Sequence, residues 1–229
     1  MADNAYYTLL TSLPHIDSLF NSKTTPISRI QLDRRLAMLS TEDRETLVKV
    51  EQLTHWSHLG EEIKEAYLIN LAERMLQELD SSDLKELVNW RLDMRTIMAA
   101  LRRKANGIPA PTFAKWSYGG RYAYIRRNWN HPTLCLQNAF PWITVVVECL
   151  GKKDYFTLEK TVMEAVWNKL NEFGSRHRFD FEAVVIYLLR WNLVARWTSY
   201  NGEQAVVRFN ELTQQALGEF AQQLSGSPD

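Results

Sequence analysis

The chain has 229 residues, of which 45% are hydrophobic and 24% charged, with nine glycines, seven prolines and two cysteines. That length allows one large domain or two small ones with core enough to fold unaided, and the composition excludes a disordered chain, a collagen-like repeat and a disulfide framework. The 27 basic and 27 acidic residues cancel, yet residues 94–147 hold eight cations and no carboxylate, against 10 cations and 16 acids in residues 1–93.

The N-terminal stretch has neither a basic segment nor a long apolar run, so no secretory signal is expected there. Thr25-Pro26 has the form of an N-cap followed by proline, and Ile27, Ile30, Leu32, Leu36 and Leu39 then follow a helical stripe. Ser40 and Asp43 resemble a capping box, which predicts a helix over about 41–56 with Leu47, Val50 and Leu53 on one face. Gly60 punctuates. Ile63, Ala66, Tyr67, Ile69 and Leu71 begin a third helix that ends near Leu79. Ser81, Ser82 and Asp83 cap a long helix carrying Leu84, Leu87, Val88, Leu92, Ile97, Ala100 and Leu101. Its last turn holds Arg102, Arg103 and Lys104 ahead of Asn106-Gly107, which suits the negative end of the helix dipole.

Residues 107–133 contain three glycines and three prolines and read as a turn-rich connector with one short helix. Pro132–Gln137 is a candidate for another. Pro141–Leu150 contains the strand-like Thr144-Val145-Val146-Val147 but has no partner strand nearby, so a buried helix ending at Gly151 is expected. The run from Leu134 to Val147 is too short to span a bilayer. Residues 154–173 are amphipathic and stop at Gly174; Asp180 caps a further helix from Phe181 to Val194 and beyond; a last helix covers about 203–224. The expected architecture is therefore all-α, an irregular multi-helix bundle. It divides into a helical unit over 1–106, the basic aromatic connector 107–133, a second unit over 134–224 and a disordered tail, 225–229. Residues 87–107 and 187–203 echo each other, each with a Trp–Arg neighbourhood ending in Asn-Gly, as a duplicated unit would.

No catalytic or nucleotide-binding motif is present, so neither an enzyme nor a bound cofactor is expected. His55-x-x-His58 has metal-compatible spacing but lacks clear further ligands, and reads as two surface histidines. Cys135 and Cys149 lack a metal or redox spacing and read as small apolar residues in a reducing, cytoplasmic setting. Trp90, Trp167, Trp191 and Trp197 lie on predicted helices with apolar neighbours and are core candidates.

The candidate binding residues are Arg102, Arg103, Lys104, Lys115, Trp116, Arg121, Tyr122, Arg126, Arg127 and Trp129. Cations interleaved with aromatics suit the phosphates and bases of RNA or single-stranded DNA, but equally an acidic protein partner or the chain's own acidic helices. A second polar set, Asp93, Arg95, Arg190, Asn192 and Arg196, lies within apolar helices; its arginines either occupy the polar face or are buried and need a partner, for which Asp93 and Asn192 are candidates within their own helices. Asp93 and Arg95 are two residues apart and do not face each other.

The N-terminal Tyr6-Tyr7-Thr8-Leu9-Leu10-Thr11-Ser12-Leu13-Pro14 resembles the start of short bacterial proteins of V-type ATPase systems, which are similar to the C-type central-stalk component of archaeal A/V-type ATPases (the d-type component of the eukaryotic enzyme). Asp93-Met94-Arg95 through Arg102, ahead of Gly107, resembles that family's motif of an acid–Asn pair, hydrophobics and arginine before a glycine. Arg190-Trp191-Asn192 through Arg196, ahead of Gly202, resembles a second copy. Met94 stands where the family has Asn, and Trp191 where it has the acid. The resemblance implies an all-helical, non-catalytic subunit without a transmembrane segment. It would link the central rotor shaft to the membrane ring, peripheral to the inner membrane through the complex.

Overall fold

The computed structural model describes residues 6–54, 65–113 and 115–199. Among these residues the secondary structure is helical throughout, with no strand: α1 (Tyr7–Ser12), α2 (Arg29–Leu36), α3 (Thr41–Thr54), α4 (Glu65–Gln77), α5 (Ser82–Ala105), α6 (Tyr122–Arg127), α7 (Trp142–Lys152), α8 (Tyr155–Gly174) and α9 (181–199). None of these helices is long and apolar enough to cross a membrane. Gly60, His55-x-x-His58, the 203–224 segment and the tail lie outside the described residues.

Local chemistry starts most of the helices where the sequence predicts. Ser40 Oγ accepts from the Asp43 amide at 3.1 Å, Ser81 Oγ from Leu84 at 3.3 Å, Asp154 from Thr157 at 3.0 Å and Asp180 from Ala183 at 3.0 Å. Three expectations need correction. α2 is capped by Ser28, not Thr25, because Ser28 and Gln31 form a reciprocal capping box. α7 runs through Gly151 to Lys152 and is capped by Lys153, whose left-handed φ of 57° and amide close the final turn. Residues 132–137 form turns, because Leu134 and Cys135 both have left-handed φ values, 56° and 55°. The buried Leu134 side chain and the His131 ring, whose Nδ1 accepts from the Thr133 and Cys135 amides, hold that turn. The strand-like Val145–Val147 run is helical, as expected from its isolation.

α5 is the hub. It packs against α3, α6, α7 and α8, and Leu84, Leu87, Val88, Leu92, Met94, Ile97, Met98, Ala100 and Leu101 are buried along it. A single buried cluster runs from Leu9 to Trp197 and includes Trp116, Tyr118 and Ile125 of the connector. Trp191 and Trp197 are buried, whereas Trp90 and Trp167 are half-buried against the core.

The N-terminal segment is sewn to α9 by polar anchors set in apolar contacts. Trp191 Nε1 donates to the Ile27 carbonyl at 2.9 Å, Trp197 Nε1 to Phe20 at 3.2 Å and the Tyr187 hydroxyl to Pro14 at 2.9 Å. The Tyr6 amide donates to the Phe179 carbonyl at 3.1 Å, and the Tyr6 hydroxyl donates to Asp43.

His177 joins the starts of α5 and α9. Its Nδ1 lies 2.8 Å from Asp180 and its Nε2 3.0 Å from Asp83. Burial alone opposes a charge on the ring, but the hydrogen bond and charge of Asp180, with Asp83 and Glu182, outweigh it and raise the pKa. A raised folded pKa contributes stability that is complete below the unfolded value of about 6.5 and is lost as pH rises through the folded value. The difference in melting temperature between wild type and His177→Gln is therefore expected to be largest below about pH 6.5 and to shrink above the raised pKa. A difference that grows with rising pH would contradict this linkage.

Candidate functional site

One face of α5 receives the basic connector. The Asp93 carboxylate accepts from the Gly120 amide at 2.9 Å, the Arg121 amide at 3.3 Å and Arg121 Nε at 3.1 Å. Burial still pushes the Asp93 carboxyl pKa up, although each of these donors favours the charge. One turn along, the buried Thr96 donates to the Tyr118 carbonyl at 2.7 Å and so accepts from Ser117 Oγ at 2.8 Å. Between them, the Arg95 guanidinium lies 4.5 Å from the Tyr118 ring centre. The Arg121 guanidinium lies 5.2 Å from the Phe140 ring centre.

This docking explains Gly119. Gly119 has a left-handed φ of 71°, and a Cβ there would stand 2.3 Å from Asp93 Oδ1. Gly107 shares the left-handed φ, 69°, but faces open space. Gly107→Ala is expected to cost about 1 kcal/mol from backbone conformation alone. Gly119→Ala adds the collision with Asp93 and should cost roughly twice that or more. Urea midpoints of the two variants check the order, and equal losses would remove Asp93 from the account.

The structure disperses most of the predicted binding residues. Trp116 is buried, its Nε1 donating to the Tyr122 carbonyl at 2.9 Å and its ring 6.4 Å from that of Trp129 in an edge-on contact. Tyr122 is half-buried against the core. Arg121 pairs with Asp93, and Lys115 pairs with Glu73 of α4. Arg102 points to a small cavity shared with Arg91, Glu159 and Arg196. Arg103 is half-buried, and its Nε has no hydrogen-bond partner among the described residues.

Lys104, Arg126, Arg127 and Trp129 do come together. With Gly107–Ala110 and Asn130 they line a groove of about 600 Å³ at the end of α5. Lys104 donates to the His131 carbonyl and Arg126 to the Phe113 carbonyl at 3.0 Å. Among the described residues no carboxylate lies within 4 Å of the Lys104, Arg126 or Arg127 cationic nitrogens. Desolvation lowers the Lys104 pKa. Two apolar side chains here are open to solvent, Ile108 in the groove wall at 40% and Phe113 beside the groove at 76%.

The second polar set divides. Asp93 and Arg95 hold the connector. Arg190 donates to the Leu170 carbonyl at 3.3 Å, lies 5.7 Å from the Trp167 ring centre and fits where Gly174 has no side chain; desolvation lowers its pKa. Asn192 donates to Glu51 Oε1 at 3.0 Å, and Arg196 pairs with Glu159 at 2.6 Å. These last two line a cavity of about 600 Å³ with Arg29, Arg91 and Trp191. Arg29 binds Glu51 through both terminal nitrogens, at 2.6 and 3.0 Å, and Arg91 donates to the Thr54 carbonyl at 3.2 Å. Burial and the nearby Arg196 charge lower the Arg91 pKa. The cations of this cavity thus have carboxylates beside them at Glu51 and Glu159, unlike those of the groove.

His177, Asp180 and Glu182 place three metal-capable atoms within 4.8 Å of one another. The imidazole is already held by two carboxylates, and Glu182 accepts from Ser81 at 2.6 Å. Cys149 is buried, with a thiol pKa raised by that burial, and Cys135 is half-buried. Sequence reading missed Thr96, whose signal was a polar residue on an otherwise apolar helix face. No family model matches this chain, and no curated protein or solved structure was found to be significantly similar to it.

Proposed function

We propose that this chain is a non-catalytic coupling component of a V-type rotary ATPase, joining the rotor shaft to the membrane ring through complementary surfaces. The observation that carries the reading is the use made of the N-terminal segment on which the resemblance rests. Leu9 and Leu13 are buried, Tyr6 bonds Phe179 and Asp43, the Tyr7 ring lies 4.8 Å from that of Phe179, and Pro14 accepts from Tyr187. A stretch that ties the chain's start to α3 and α9 is the kind of signature that a shared helical architecture requires. The cationic groove adds support, because a coupling protein works by charge and shape at its faces.

The geometry weighs against the nucleic-acid alternative. Stacking along a strand needs a row of open ring faces, whereas Trp116 and Tyr118 are buried, which leaves Phe113 and Trp129 at the groove.

The test is affinity capture of the tagged full-length chain from its native cells, with nuclease treatment and moderate salt. The catalytic and shaft proteins of a rotary ATPase are expected in the eluate. Their absence overturns the coupling role, and a nuclease-sensitive nucleic acid in their place would establish the alternative.

A further inference from the structure

We propose that the groove formed by Lys104, Ile108, Pro109, Arg126, Arg127 and Trp129 docks an acidic, apolar-anchored segment of a protein partner. The proposal rests on the partner-binding reading above and names the chemistry of that partner.

Charge argues first. Three cations border the groove without a carboxylate within 4 Å among the described residues, in a stretch of sequence, 94–147, that contains no acid. The C-terminal end of α5 opposes them with a helix dipole equivalent to about half a negative charge, far less than three full positive ones. Lys104 and Arg126 are held by the carbonyls of His131 and Phe113, contacts that fix their positions without neutralising them. An incoming carboxylate therefore meets donors already oriented, at little ordering cost.

Apolar surface argues second. Residues 107–110 supply a wall without side-chain charge in which Ile108 is open to solvent, Trp129 lines the same groove, and Phe113 stands open beside it. A purely ionic ligand would leave that surface wet. A segment with leucine-like side chains between its carboxylates covers it, and the buried apolar area adds to the ion pairs. A nucleic acid would find the cations and the rings of Phe113 and Trp129, but not a continuous stacking row, since Trp116 and Tyr118 belong to the core.

The test is fluorescence anisotropy on the full chain with three labelled probes of equal length: a peptide of Leu-Glu-Glu repeats, an all-glutamate peptide and single-stranded oligothymidine. The Leu-Glu-Glu peptide is expected to bind most tightly. Arg127→Glu, at an exposed residue, should weaken it about tenfold, and Ile108→Ser should weaken it while leaving the all-glutamate peptide unchanged. Circular dichroism and melting temperature confirm that both variants are folded. Equal binding of the two peptides, indifference to either substitution, or no binding of any probe overturns the proposal. Tightest binding of oligothymidine also overturns it, in favour of nucleic acid. Affinity capture separates the two readings: rotary ATPase proteins retained by Arg127→Glu as by wild type would sink the groove alone, whereas none retained by wild type would sink the coupling role.

Discussion

Trp191→Ala is expected to be the most damaging single substitution on α9, costing about 4 kcal/mol. For a chain of this size that corresponds to a fall in melting temperature of roughly 8–16 °C. Trp191 is only 7% exposed, and its indole joins three elements at once. The ring fills the seam between α9 and the segment before α2, while its Nε1 satisfies the Ile27 carbonyl at 2.9 Å. The Arg29 guanidinium lies 5.9 Å from the ring centre and is itself held by Glu51. Truncation therefore opens a cavity and also removes a surface on which an arginine rests. Trp191→Phe isolates the hydrogen bond: it keeps most of the apolar volume and should cost about 1–2 kcal/mol. Chemical denaturation of the two variants decides the matter. Equal losses would mean that ring volume contributes little, contrary to its burial.

Asp93→Ala is expected to cost about 3 kcal/mol, because it leaves the Arg121 guanidinium and two backbone amides without their acceptor. The loss lies in the abandoned donors and not in any intrinsic strength of the ion pair. Burial raises the Asp93 pKa, so its ionised form is held at some expense. A carboxyl with a raised folded pKa favours folding when protonated, and this contribution fades as pH rises through the folded value. Asp93 is therefore not a source of acid unfolding. Asp93→Asn keeps one carbonyl acceptor for the Gly120 and Arg121 amides and should lose roughly half as much. Faster proteolysis of the connector near Gly119 in Asp93→Ala would locate the damage, and unchanged proteolysis together with unchanged stability would refute the docking role.

The helices were largely legible because their signals are local. Ser40, Ser81 and Asp180 stand within three residues of the amides they cap, and the stripe Leu84, Leu87, Val88, Leu92 repeats at the helical period. The misreadings share a cause. Thr25-Pro26 competed with Ser28, and the reciprocal bond to Gln31 settled the choice. Pro132 suggested a helix start, but burial of Leu134 imposed left-handed turns that the sequence does not advertise. Gly151 suggested a stop, yet a glycine inside a helix costs only about 1 kcal/mol, and Lys153 made the turn instead.

For the candidate site, the sequence determined by itself that residues 94–147 carry only cations, that aromatics lie among them and that Asp93 does not face Arg95. Only the tertiary structure decided which of those groups remain available. Arg121, 28 residues from Asp93, became its partner; Trp116 and Tyr118 entered the core; Lys104, Arg126 and Arg127 were left facing the groove. The physical reason is range. Caps and helical stripes are set by neighbours within about one turn. The pairing of a charge is decided by whichever group the packed core brings within a few ångströms, and no local spacing encodes it.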